Sequence, residues 1–225
     1  MKMPHIVPVC LIALGCSCFA QSDGYRTSVS APSDSNQFSE SATISFARLR
    51  HRIPGKALAA FSRSLKFARH REWQQGATEL ETAVAIDPEF SDAHGNLAVH
   101  YLMVHRLNDA VTELRRAIAI EPGVSMYHSN LALVYVMQER TSEAKTEAET
   151  AVTLDARNAK AQYLLGVLLA RNPEYRAAAE KHLNFAAEEM PDAHLILMKL
   201  YRSRGDESNA TREMDRYKRA MSSFK

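Results

Sequence analysis

Beyond residue 18 the chain has no cysteine: all three, Cys10, Cys16 and Cys18, lie near the amino terminus. A chain cut downstream of them has no disulfide framework and no thiolate for catalysis or metal binding. Neither charge is in excess, with 28 basic residues against 26 acidic ones and a pI near 8.4. That balance argues against a general nucleic-acid or anionic-membrane surface, which demands a basic excess. The apolar stretch 6–14 is too short to span a bilayer. There is also no Gly-rich phosphate loop, no GxSxG elbow and no HExxH pair. A non-enzymatic protein without a cofactor is expected.

The amino terminus reads as an export signal over residues 1–20. Lys2 supplies a minimal positive region, residues 6–14 an apolar core, and Cys18-Phe19-Ala20 small residues before a cut at Gln21. A second reading acylates Cys16 after Ala13-Leu14-Gly15, although a lipoprotein signal usually has Leu where Ala13 stands and a small residue where Leu14 stands. The expected location is periplasmic or secreted, or membrane-anchored through Cys16 in the second reading. Cleavage after Ala20 removes Lys2 alone among the charges and leaves the rest close to neutral. Residues 21–45 are Ser-rich without an apolar period, the composition of a disordered tether. The tether with its lead-in is placed at 21–55, where Ile44, Phe46, Leu49 and Ile53 precede Pro54-Gly55 and can dock on the first helix.

The rest is organised around residues 91–158, which contain the same helical hairpin twice. Asn96-Leu97-Ala98 meets Asn130-Leu131-Ala132, Tyr101 meets Tyr135, Ala110 meets Ala144, Ala117 meets Ala151, and Ile120 meets Leu154. Every pair is separated by the same 34 residues. Within one copy, Leu97, Ala98 and Tyr101 share a helical face, as do Ala110 and Ala117 on the next helix. Small residues there let two antiparallel helices approach closely, and Pro122 turns the chain after the second. This period and these markers resemble the tetratricopeptide repeat (TPR) family.

The resemblance implies an all-α fold, a right-handed solenoid of antiparallel helix pairs with about four to five repeats. It covers 56–221, with copies at about 57–90, 91–124, 125–158, 159–190 and 191–220. The first copy is degenerate, with Arg63 where Leu is expected. The fourth carries Pro173 in its turn and is two residues short before Pro191. The last helix is an amphipathic cap.

In TPR proteins the first helix of each pair lines a concave groove that takes a peptide or partner helix. Carried over, the partner-binding residues are Asn96, Val99, Leu102, Met103, Met126, Asn130, Leu133, Met137, Tyr163, Val167 and Arg171. Asn96 and Asn130 either grip an extended main chain through donor and acceptor together, or bond only to neighbouring helices. The dicarboxylate clamp of chaperone-binding TPR domains is not matched, because Gly95, Val99 and Leu133 stand where it uses Lys and Asn. The Val, Leu and Met content suits an apolar or amphipathic helix. The function implied is an exported adaptor for a protein or peptide, without nucleic acid and without direct membrane insertion after signal cleavage. Alternatives are an accessory subunit of an envelope enzyme or assembly complex, pilotin-like if lipidated, and a self-associating structural protein. His94, His128 and His194 share one place in three copies, taken by Gln162 in the fourth; a whole repeat separates them, so they cannot converge on one metal ion and are expected in packing.

Overall fold

The computed structural model describes residues 51–222. They form ten α-helices and one short 3₁₀ helix, with no strand among the described residues. The helices are α1 (Gly55–Arg69), α2 (Trp73–Ile86), α3 (Ser91–Met103), α4 (Leu107–Ile120), α5 (Ser125–Met137), α6 (Thr141–Leu154), α7 (Ala159–Leu169), α8 (Arg176–Ala186), α9 (Asp192–Arg202) and α10 (Glu207–Ser222). Each odd-numbered helix packs chiefly on the even-numbered helix after it, and that helix on the next pair. The result is a solenoid of consecutive helix pairs. The expected export signal, residues 21–50 of the expected tether and the lead-in residues Ile44, Phe46 and Leu49 lie outside the described residues; Ile53 is half-buried against the core.

Alanine sets how closely the helices approach. Ala98, Ala110, Ala117, Ala132, Ala144 and Ala151 are all fully buried, with Leu97, Leu114 and Leu131 beside them. Interiors packed at crystal-like density tolerate no larger side chain at such contacts. Arg63 departs from the motif in the first described pair: its side chain is exposed and pairs with Glu79 on α2. The small residue after it, Ser64, is as buried as Ala98.

The turns inside the pairs share one geometry. Arg71, His105 and Glu139 take φ of 59°, 59° and 61°, and Gly205 takes 75°. In each, the following N–H reaches back five residues, as in Glu72 to Phe67, Arg106 to Tyr101, Arg140 to Tyr135 and Asp206 to Tyr201. This is the Schellman closure of a helix, whose left-handed residue is ordinarily glycine. The fourth pair cannot use it, since Pro173 stands one repeat after Glu139 and its ring fixes φ near −65°. The chain instead adds a 3₁₀ helix, Pro173–Tyr175, whose first turn is capped by Asn172 accepting from the Glu174 N–H at 3.0 Å. α8 is accordingly 11 residues long where α2, α4 and α6 are 14. Because left-handed backbone costs an L-residue free energy, His105→Gly and Glu139→Gly should each stabilise the fold by roughly 0.5–1 kcal/mol after the greater freedom of unfolded glycine is deducted. Urea unfolding checks this; a loss of stability in both would contradict the strain assigned to these turns.

Candidate protein-binding surface

The first helices of the second, third and fourth pairs, α3, α5 and α7, carry three parallel stripes at helical spacing. They are Asp92, Asn96, Val99 and Met103; then Met126, Asn130, Leu133 and Met137; then Lys160, Leu164 and Val167, with Arg171 two residues past the end of α7. Positions four, seven and eleven residues on from the first lie on one side of a helix.

The eleven residues expected to contact a partner divide by exposure. Met126 and Arg171 are exposed, and Asn96, Met103, Met137 and Val167 are half-buried. Val99, Leu102, Asn130, Leu133 and Tyr163 retain almost no surface. The physical reason is the packing of neighbouring first helices. Tyr127 of α5 lies over Gly95 of α3, where an added Cβ would stand 2.6 Å from the Tyr127 ring. Its hydroxyl donates to Asp92 Oδ1 at 2.9 Å, and burial together with that carboxylate drives the phenol pKa far up. The floor between the stripes is thereby filled from within, leaving Met103, Met126, Met137, Val167 and Arg171 around it.

The two asparagines are not equivalent. Asn96 Nδ2 donates to the Asp92 carbonyl of its own helix at 2.7 Å. Asn130 Oδ1 accepts from Lys160 Nζ of α7 at 2.9 Å, and both residues are buried. Asn130 therefore uses its carbonyl to join adjacent repeats.

The histidines shared between repeats do more than fill space. His94 Nδ1 stands 2.6 Å from Glu113 Oε2 of α4, and its Nε2 is 3.0 Å from the Pro88 carbonyl in the preceding loop. His128 repeats this with Glu147 at 2.7 Å and Pro122 at 3.1 Å. His194 meets Glu213 at 2.7 Å. A carbonyl oxygen only accepts, so Nε2 carries a proton; Nδ1 against a carboxylate then needs a second. At His128, whose pKa is raised, the arrangement favours one proton beyond a neutral imidazole and an ionised carboxylate. The fourth pair builds the same bridge without that proton, Gln162 Nε2 donating to the Ala156 carbonyl at 2.7 Å and Gln162 Oε1 lying 2.6 Å from His182 Nδ1. The signal was in the sequence as a Glu 19 residues after each of the three histidines.

Hydrogen bonding to Glu147, opposed by burial, raises the pKa of His128. A raised folded-state pKa contributes stability that is complete below the ordinary histidine value, about 6.5, and is lost as pH rises through the folded value. His128→Gln, copying Gln162, should therefore flatten the fall in melting temperature between about pH 6 and 8. An unchanged pH profile in the variant would remove His128 as its source.

Elsewhere polar groups serve the array. Tyr101 Oη donates to Glu81 at 2.8 Å and Tyr201 Oη to Glu180 at 2.7 Å; burial, then those carboxylates, push both phenols up to about 12. Arg106 and Arg140 stack on Tyr101 and Tyr135 at 4.1 and 4.4 Å. No helix among the described residues is long and apolar enough to cross a membrane.

Two family models, both of the tetratricopeptide repeat, match residues 68–134 and 129–194. The chain is a TPR protein. Solved structures with the same fold include PilF of Pseudomonas aeruginosa, at a TM-score of 0.65 and 21% identity over 73% of this chain and 76% of that one. MamA of Desulfovibrio magneticus matches at 0.64 and 15% identity, over 76% and 98% of the two chains. YrrB, described as a TPR protein with an unusual peptide-binding site, matches at 0.56 and 16% identity over 79% and 91%. No curated protein matches the chain. TPR repeats are protein–protein interaction scaffolds, and this TPR protein has that architecture through its described length.

Proposed function

We propose that this chain is an exported, non-enzymatic adaptor that holds an apolar or amphipathic helix of a partner protein across α3, α5 and α7. The observation that carries the reading is the set of accessible apolar side chains on successive first helices, Met103, Met126, Met137 and Val167. Methionine is flexible and polarisable, and it adapts to a helical surface without demanding one shape. The filled floor beneath disfavours a deeply inserted extended peptide, because Asn130 and Leu133 are covered and Asn130 is already bonded. A peptide-binding neighbour of the same fold, YrrB, is consistent with a protein ligand. Export is supported by the apolar amino-terminal segment and by the lack of cysteine after residue 18.

A photo-crosslinking amino acid at Met126 tests the surface in the native host. One protein should be captured there and not from the same probe at Ile86, an exposed residue at the end of α2. Met103→Asp/Met137→Asp should abolish that capture while the melting temperature stays within a few degrees. Capture that survives the double change would move the partner to another face. Mass spectrometry of the purified protein tests export in the same preparation: an amino terminus at Gln21 reports simple cleavage, a diacylated Cys16 a lipoprotein, and an intact Met1 neither.

A further inference from the structure

The near-neutral total hides an uneven distribution of charge. Residues 41–71 contain no acidic side chain and eight basic ones, Arg48, Arg50, Arg52, Lys56, Arg63, Lys66, Arg69 and Arg71. The other 20 basic residues of the chain are outnumbered by all 26 acidic ones. Among the described residues the charge is divided in the same way, with six basic and no acidic side chains over 51–71 and 17 basic against 23 acidic ones over 72–222.

Helix α1 shows how that charge is displayed. Its buried side is Ala57, Ala60, Ser64 and Ala68, which face the core. Lys56, Arg63, Lys66 and Arg69 occupy the opposite half of the helix and are exposed, with Leu58 beside them at 41% exposure. Arg63 is committed to Glu79, and the carboxylate of Asp87 is held by His51 at 2.7 Å. Arg52, Lys56, Lys66, Arg69 and Arg71 make no ion pair among the described residues.

A terminal helix of a solenoid needs a polar outer face for solubility, but it does not need one sign of charge. The far end of this molecule makes the contrast. On α10 the four basic residues are interleaved with acidic ones and two are paired to them, Arg216 with Glu213 at 2.8 Å and Lys218 with Asp215 at 3.8 Å. Capping explains α10 and leaves the single sign of α1 unexplained. A helix with a basic outer half around an exposed leucine suits an interface that is both anionic and apolar just beneath.

We infer that the outer face of α1 is a docking surface for an anionic phospholipid bilayer. The more acidic remainder is repelled by the same surface, so the molecule stands end-on with α3, α5 and α7 clear of the lipid. This contact is peripheral, and it does not depend on what those helices bind.

The test is sedimentation of the full chain with vesicles of phosphatidylcholine containing about a third phosphatidylglycerol. At roughly 1 kcal/mol per basic residue near such a surface, Lys66→Glu/Arg69→Glu should weaken binding by at least about ten-fold. Lys218→Glu/Arg219→Glu on α10 changes net charge equally and should leave binding nearly unaltered. Helical circular dichroism confirms that both variants fold, and Lys66→Gln/Arg69→Gln should give an intermediate loss. Binding of the parent should also fall steeply as salt rises. Four results would overturn the inference: no binding to anionic vesicles, equal binding to pure phosphatidylcholine, equal loss from the two reversed pairs, or binding unchanged in Lys66→Glu/Arg69→Glu. The last would place the lipid contact in the apolar amino-terminal segment. Retention on heparin without any vesicle binding would assign α1 to a polyanion other than a membrane.

Discussion

Tyr127→Ala should destabilise the protein by about 3–5 kcal/mol, a large share of the 5–15 kcal/mol that stabilises an ordinary domain. Tyr127 is fully buried and lies across the junction of the second and third repeats. Its ring occupies the space that Gly95 leaves open, and its hydroxyl satisfies Asp92 Oδ1. Truncation therefore opens a cavity between α3 and α5 and removes a bond between repeats. In a solenoid each repeat touches only its neighbours, so the loss falls on one interface. Urea unfolding of the variant should broaden, or separate into two steps, as the halves on either side lose their coupling. Tyr127→Phe keeps the ring and gives up one hydrogen bond, at about 0.5–1.5 kcal/mol. If Tyr127→Ala unfolds within 1 kcal/mol of the parent in a single sharp step, the junction is held by something else.

The second large effect is a clash that a partner substitution should relieve. A Cβ on Gly76 would stand 2.1 Å from Cε1 of His100. That ring is fully buried, bonded through Nδ1 to the Trp73 carbonyl at 2.9 Å and edge-on to the Trp73 ring. It has no open space to retreat into. Gly76→Ala gains helix propensity but should still cost about 1–3 kcal/mol from overpacking. One repeat further on, the corresponding residues are Ala110 and Val134, both fully buried. The repeat thus offers a second pair of residues for these two positions, a larger one on the second helix with a smaller one on the next pair. Gly76→Ala/His100→Val should recover most of the stability lost by Gly76→Ala. A coupling energy near zero across the four proteins would show that the two positions act separately. Burial lowers the pKa of His100, so the His100→Val half of this cycle should help most in acid, where the buried ring would otherwise have to be charged.

The repeat unit was legible in the sequence because its information is local. Thirty-four residues return the chain to the same environment, so Ala110, Ala117, Ala144 and Ala151 declare the close helix contacts without reference to anything distant. The replacement of Leu by Arg63 and the proline in the fourth turn were also readable as departures. What Pro173 builds in place of a left-handed turn, a 3₁₀ helix capped by Asn172, was not. The stripes on α3, α5 and α7 were legible only as helical spacing. Periodicity gives the side of a helix on which a residue lies, not what the neighbouring helix has already placed there. Leu133 and Met137 fall on one stripe, yet Leu133 is 1% exposed and Met137 half-buried.

By itself, then, the sequence determined the helix pairs, their period and the small residues that set their separation, because these follow from hydrophobic spacing within one repeat. It also contained the acid-free run 41–71, a property of order along the chain. Only the tertiary structure decided which polar side chains meet. His94 with Glu113, Asn130 with Lys160 and Tyr127 with Asp92 are separated by 19, 30 and 35 residues, and each pairing depends on how one helix is rotated against another. A buried donor or acceptor takes whichever partner the packing brings within about 3 Å, and that distance is fixed by the whole array.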